Sequence, residues 1–248
     1  MDDDPLVIGG TGGSGTRAVA RIVARAGVFM GARTNRSEDA LDLAEFDWRW
    51  GPELVRSGCT EEIRQAFEMA LAAHLALRPA GTEGWGWKHP HSYLLLPFLA
   101  ERFARLRFIQ VVRDGRDIAL SRNHNQVRLY GEDALGPGDP ADPVRRIAFW
   151  AWANDRAAAR RAELLGDRSM CVRLEDLCRA PEETTRRVLE FAGRAGAGRD
   201  LDAAREIVPP DSLGRGRRAD PSLLARLEEA AGATLRRFGY LDEPGAGL

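Results

Sequence analysis

The sequence predicts an α/β fold in three layers: a doubly wound parallel sheet, a glycine loop after its first strand and a helical lid inserted nearby. Three observations carry this expectation. Leu6-Val7-Ile8 is a short apolar run closed by glycines, and Val19, Ile22, Val23 and Ala26 follow at helical spacing, so the chain opens strand, loop, helix. Arg107-Phe108-Ile109-Gln110-Val111-Val112 is the clearest buried strand. Further strands alternate with helical stretches, the order that produces parallel sheets whose ligand site lies outside the carboxyl ends of the strands.

The remaining elements follow in order. Residues 28–58 are rich in charge and tryptophan and read as irregular, after which Ile63, Phe67, Leu71 and Leu75 repeat every four residues as a helix. The segment 28–84 is expected to form a helical substrate lobe within a single domain spanning 1–248. Trp85–Lys88 reads as a second strand, 94–105 as a helix and 117–127 as another. The stretch 136–143 holds three prolines and is a loop. A long helix is expected over 144–165, a strand over 170–173, and then a helix with Pro181 in its first turn and Glu182 and Glu183 beside it, as the macrodipole favours. Prolines, glycines and arginines fill 209–221, and a last helix covers 221–238.

The 248 residues carry 36 basic and 37 acidic side chains, a net charge of -1. This excludes the global positive field of a nucleic-acid binder, so any anion site must be local. Cys59, Cys171 and Cys178 are odd in number and widely spaced, which fits a reducing compartment and offers no zinc spacing. The first residues are acidic where a signal peptide is basic, and no apolar run approaches the ~20 residues of a membrane span. The expectation is a soluble cytoplasmic protein without a membrane partner. Abundant Arg, Ala and Gly with little Lys fits a GC-rich bacterial genome.

Gly10 and Gly15, four residues apart, form the Gly-x-x-x-x-Gly skeleton of a P-loop-like segment entering a helix. Thr16 stands where the nucleotide-loop lysine belongs and Arg17 follows, so ATP or GTP hydrolysis loses its main chemical parts. The cradle survives: glycine N–H groups converge, Ser14 and Thr16 add hydroxyls, and the helix dipole favours an anion held without metal. Gly10-Thr11-Gly12-Gly13-Ser14-Gly15 also fits Gly-x-Gly-x-x-Gly, with Glu38 or Asp39 as the acid, so a dinucleotide site remains open. A loop that merely connects is the less favoured reading, because five glycines between 9 and 15 are entropically costly.

Arg113 ends the buried strand, which puts its guanidinium at the ligand edge of the sheet, and Ser121 follows eight residues later. Together they can converge on a second phosphate. Arg116 and Asp117 read as a solvated turn with local ion pairs.

These segments resemble the sulfotransferases that use 3'-phosphoadenosine 5'-phosphosulfate (PAPS). The likeness is strongest over 6–27 and 85–122, and continues in "CVRLEDLCRAPEETTRRVLEFAG" (171–193) and "SLGRGRR" (212–218). The resemblance implies that Gly12, Gly13, Ser14, Gly15, Thr16 and Arg17 hold the 5'-phosphosulfate. It implies that Arg113, Ser121 and the loop of Arg215, Gly216 and Arg217 hold the 3'-phosphate, with 3'-phosphoadenosine 5'-phosphate (PAP) as product. Gly13 replaces a Lys or Arg of many members, Leu174 an aromatic residue and Gly216 a tryptophan; Arg17 or Lys88 is available to supply the missing charge.

Sulfuryl transfer to a hydroxyl of a small molecule or glycan needs a base and positive charge on the departing phosphate, and requires no metal. "WGWKHPHSYLLLP" places Lys88, His89 and His91 after the second strand. Lys88 is assigned to the bridging or sulfuryl oxygens and His89, then His91, to the base. Asp39, Asp42 and Glu45 are rival bases, whereas His74 and His124 sit in helices. Three Trp-x-Trp pairs (48/50, 85/87, 150/152) fit core packing better than a pocket wall. The competing functions are a degenerate kinase and a nucleotide-binding regulatory module without catalysis.

Overall fold

The computed structural model describes residues 4–194 and 210–242, with Ala204 and Ile207 between them. In chain order the elements are β1 (Leu6–Gly9), α1 (Thr16–Arg25), α2 (Leu41–Ser57), α3 (Glu61–Ala76), β2 (Gly86–Lys88), a 3-10 turn (Pro90–Leu95) and α4 (Leu96–Arg102). Then come β3 (Arg107–Val112), α5 (Gly115–Ala119), α6 (Asn125–Leu135), α7 (Pro143–Leu164), β4 (Ser169–Arg173), α8 (Leu174–Arg179), α9 (Pro181–Phe191) and α10 (Pro221–Arg237).

The four strands are parallel in the order β2-β1-β3-β4. Side chains alternate across a strand, and this divides the core in two. Leu6, Ile8, Ile109 and Val111 point to one face and pack with Val19, Ile22 and Val23 of α1, Leu177 of α8 and Val188 and Leu189 of α9. Val7, Trp87 and Phe108 point to the other and pack with Phe46 of α2, Phe67 of α3, Phe98 of α4 and Phe149 of α7. Helices therefore cover both faces, and the predicted three-layer sheet is what forms. Trp85 and Trp87 are buried in the second of these layers and Trp150 in a third apolar cluster with Ile118 of α5 and Leu227 and Leu235 of α10, as core packing requires, while Trp48 is 45% exposed.

Two predicted stretches differ. Residues 28–58 contain the 17-residue helix α2 rather than irregular chain. Its buried face includes Asp47 and Gly51 beside Leu43, Phe46 and Leu54, so polar and small residues occupy core-facing positions and hide the apolar period, while Pro52 imitates a breaker. The helix expected over 117–127 ends at Ala119. There Ser121 Oγ accepts from Asn123 N at 3.2 Å and Asn123 Oδ1 from Asn125 N at 3.2 Å, local bonds that compete with the helical ladder. His124 becomes the residue before α6 instead of a late position on the previous helix. The helix expected over 94–105 is shorter, Leu96–Arg102, because a 3-10 turn precedes it.

Candidate active site

The loop between β1 and α1 is shaped by its glycines. Gly13 and Gly15 adopt φ of 91° and 95°, a region where side chains are strained, and Gly15 leads directly into the first turn of α1. The hydroxyls of Thr11 and Ser14 are buried here and have no hydrogen-bond partner. Both hydroxyls are therefore available to a group entering the loop.

Arg113 leaves the carboxyl end of β3 and is 4% exposed. Its Nη2 lies 2.8 Å from Asp117 Oδ2 and donates to Ser212 Oγ at 3.1 Å, and its Nη1 donates to the Gly13 carbonyl at 3.4 Å. Arg113 thus joins the glycine loop to the late loop. Asp117 is fully buried and accepts from Gly214 N and Gly216 N, each at 2.8 Å, while its carbonyl accepts from Arg215. Arg116 is buried as well, paired with Asp114 at 2.8 Å. The solvated turn expected for Arg116 and Asp117 is therefore replaced by a buried ion network, because α10 and the late loop close over it. Gly216 stands where a tryptophan is common in the resembling family, and a Cβ there would come within 2.4 Å of Arg116 Cβ. Arg217 remains 61% exposed. The Ser121 hydroxyl is spent locally, donating to the Asn123 carbonyl at 3.1 Å.

Lys88 ends β2 and is 1% exposed, with Nζ donating to Asp39 Oδ1 and to the Ser37 carbonyl. Burial pushes the ammonium below its ordinary range against the pull of Asp39. Burial raises Asp39 too, but the bonds from Lys88 and Asn35 outweigh it and hold that carboxyl low. Asp39 is thus the lysine's partner, whereas Asp42 and Glu45 face Arg33.

His89 Nδ1 donates to Asp47 Oδ2 at 2.6 Å, and Tyr130 Oη donates to Asp47 Oδ1 at 2.9 Å. Burial works to raise the Asp47 carboxyl, yet the charge and bond of His89, then His91 and Tyr130, hold it below the usual carboxylate range. His91 lies against His89, ring centroids 4.7 Å apart, with its Nδ1 buried, without a hydrogen bond and 3.9 Å from Asp47 Oδ1, and burial lowers its pKa to about 4. Asp47, His89 and His91 bring ligand atoms within 4.8 Å of one another, so among the described residues they are the place where a divalent cation could sit. Asp47 and Tyr130 were missed in the sequence because nothing in the spacing links 47 and 130 to 89; the polar residue on the buried face of α2 was the available signal.

These groups share one cleft of 850 Å³ at the carboxyl ends of the strands, lined by Gly12, Gly13, Gly15, Thr16, Arg17, Lys88, His89, His91 and Arg113, with Trp48, Arg128 and Leu129 at its wall. A family model described as the Sulfotransferase family matches residues 5–195. The chain belongs to that family. Its fold is similar to that of the sulfotransferase domain from the curacin biosynthetic pathway, at 16% identity over 97% of this chain and 99% of that one, with a TM-score of 0.56. It is likewise similar to sulfotransferase STF9 from Mycobacterium avium, at 15% identity over 97% and 78% of the two chains and a TM-score of 0.62. No curated protein matches the chain. Among the described residues, no helix is long and apolar enough to cross a membrane.

In this sulfotransferase-family chain the placing of Asp47 and Tyr130 depends on Gly51. A Cβ there would lie 2.2 Å from Asp47 Oδ1 and 2.5 Å from Tyr130 Oη. Gly51→Ala is therefore expected to displace Asp47 and cost about 1–3 kcal/mol of stability, read by urea unfolding, with a larger fractional loss of turnover than of donor affinity.

Proposed function

We propose that the chain transfers a sulfuryl group from PAPS to the hydroxyl of a small molecule or glycan. The observation that carries this is the sharing of one cleft by the glycine loop, through Gly12, Gly13, Gly15 and Thr16, and by His89, which Asp47 backs from behind. The loop 12–17 would hold the 5'-phosphosulfate, and Arg113 and Arg215–Arg217 the 3'-phosphate, with Ser121 joining them once its hydroxyl gives up the Asn123 carbonyl. The donor supplies the electrophilic sulfur.

The protein's own residues do the rest. With its Nδ1–H held in a hydrogen bond to Asp47, His89 would turn its Nε2 lone pair to the acceptor's hydroxyl proton. The buried Asp47 carboxylate orients the ring and stabilises the imidazolium that forms, and Tyr130, whose phenol burial keeps protonated, fixes that carboxylate. As the acceptor oxygen bonds sulfur and the bond to the phosphate oxygen breaks, Lys88 meets the negative charge on the departing side. Arg17, also on the cleft, compensates for Gly13.

The test is transfer of radiolabelled sulfate from PAPS to a panel of phenols, alcohols and sugars in the presence of EDTA. Labelled product that forms equally with and without the chelator is expected. Tight PAP binding with no transfer to any acceptor would favour a nucleotide-binding module without catalysis, the reading that Gly13 supports.

A further inference from the structure

A second cleft, of 370 Å³, lies along β4, the edge strand of the sheet, and shares no lining residue with the first. Arg161 from α7, Arg173 from β4, Arg187 from α9 and Arg237 at the end of α10 all line it, against one acid, Asp176. Their charges are only partly matched. Arg237 pairs with Asp155 at 2.8 Å. Asp176 lies 3.9 Å from Arg173 and 3.5 Å from Arg179, and is divided between them. The Arg173 Nε that faces Asp176 makes no hydrogen bond, while its Nη2 donates to the Gly239 carbonyl at 3.2 Å and the guanidinium lies 4.5 Å over the Tyr240 ring.

Arg161 donates through Nε to Gln110 Oε1 at 2.8 Å, and neither it nor Arg187 has a carboxylate partner among the described residues. Burial holds the Arg161 guanidinium below the usual arginine range. Cys171, also on this wall, has its thiol pushed up by burial and so adds no negative charge. Arg161 and Arg173 are half-buried and Arg187 and Arg237 exposed on this concave wall, and guanidinium forks match the oxygens of phosphate and sulfate.

We propose that this cleft is a second anion site that takes a small polyanion bearing phosphoryl or sulfo groups, of about pyrophosphate size or somewhat larger. Four guanidinium groups against Asp155 and Asp176 leave a local surplus of two positive charges, in a chain whose net charge is -1. The concave volume selects a compact ligand over an extended polymer. This site does not depend on the sulfuryl-transfer reading.

The experiment is calorimetry of the full chain with inorganic pyrophosphate at fixed ionic strength, comparing the unaltered protein with Arg187→Gln, Arg161→Gln and Arg113→Ala. Arg187 is exposed, so its substitution leaves the fold intact; Gln at 161 keeps a polar group toward Gln110. Saturable binding that survives Arg113→Ala and weakens about tenfold or more in Arg187→Gln and Arg161→Gln is expected, the loss of one charge-assisted contact in each. Binding unchanged in both of those variants, binding abolished by Arg113→Ala, or no saturable binding at all would overturn the proposal.

Discussion

Replacing His89 with alanine is expected to cut turnover about 10²–10⁴-fold while PAP affinity stays within about twofold of its starting value. The asymmetry follows from position. His89 touches Asp47, Trp48 and His91, while the groups proposed to hold the donor's anions come from the β1–α1 loop, the end of β3 and the late loop. Asp47→Asn should act in the same direction and be separable by mechanism. Its amide keeps a group near His89 Nδ1 but loses the charge that stabilises the imidazolium. Single-turnover rates for both variants, with PAP titrations beside them, check this. Equal losses of affinity and rate in His89→Ala would move His89 from the reaction to donor binding.

The second large effect is expected at Arg113. Its alanine variant should bind PAP about 100-fold more weakly, since two charge-assisted hydrogen bonds of about 1.5 kcal/mol each account for about 3 kcal/mol and each 1.4 kcal/mol is tenfold. The same change leaves Asp117 buried without its ion-pair partner. Removal of one member of such a pair costs about 3–5 kcal/mol of stability. Denaturant unfolding must therefore accompany the titration, to confirm that the weakened population is folded. Asp117→Asn separates the two contributions: it retains Arg113 but loosens Gly214 and Gly216, whose N–H groups the carboxylate holds. A smaller loss of PAP affinity than in Arg113→Ala is expected from it.

Much of this was legible in the sequence, for physical reasons. β3 matched its predicted bounds because buried parallel strands read as continuous apolar runs, and the strand–loop–helix opening was set by glycines that only a close-approach loop tolerates. The structure brings Lys88, His89, His91 and Arg113 to one cleft with the glycine loop, as their places at strand ends implied. What stayed hidden depends on contacts between distant segments. Asp47 lies in a stretch that reads as irregular and charge-rich; its contacts appear only where α2 packs against the 3-10 turn after β2 and against α6. Arg116 and Asp117 looked solvated because the residues that bury them, Gly216 and Glu228, lie about a hundred positions later. Ser121 was placed on a helix because its capacity to end one through local bonding to Asn123 leaves no apolar signature.

The most direct measurement is calorimetric binding of PAP to the unaltered chain, set against 5'-AMP and ATP, with Mg²⁺ and with EDTA. Micromolar PAP binding that ignores the metal and weakens about 100-fold when the 3'-phosphate is missing is expected from a cleft with two anion-holding ends. Equal affinity for PAP and 5'-AMP, or a preference for ATP that requires Mg²⁺, would contradict it.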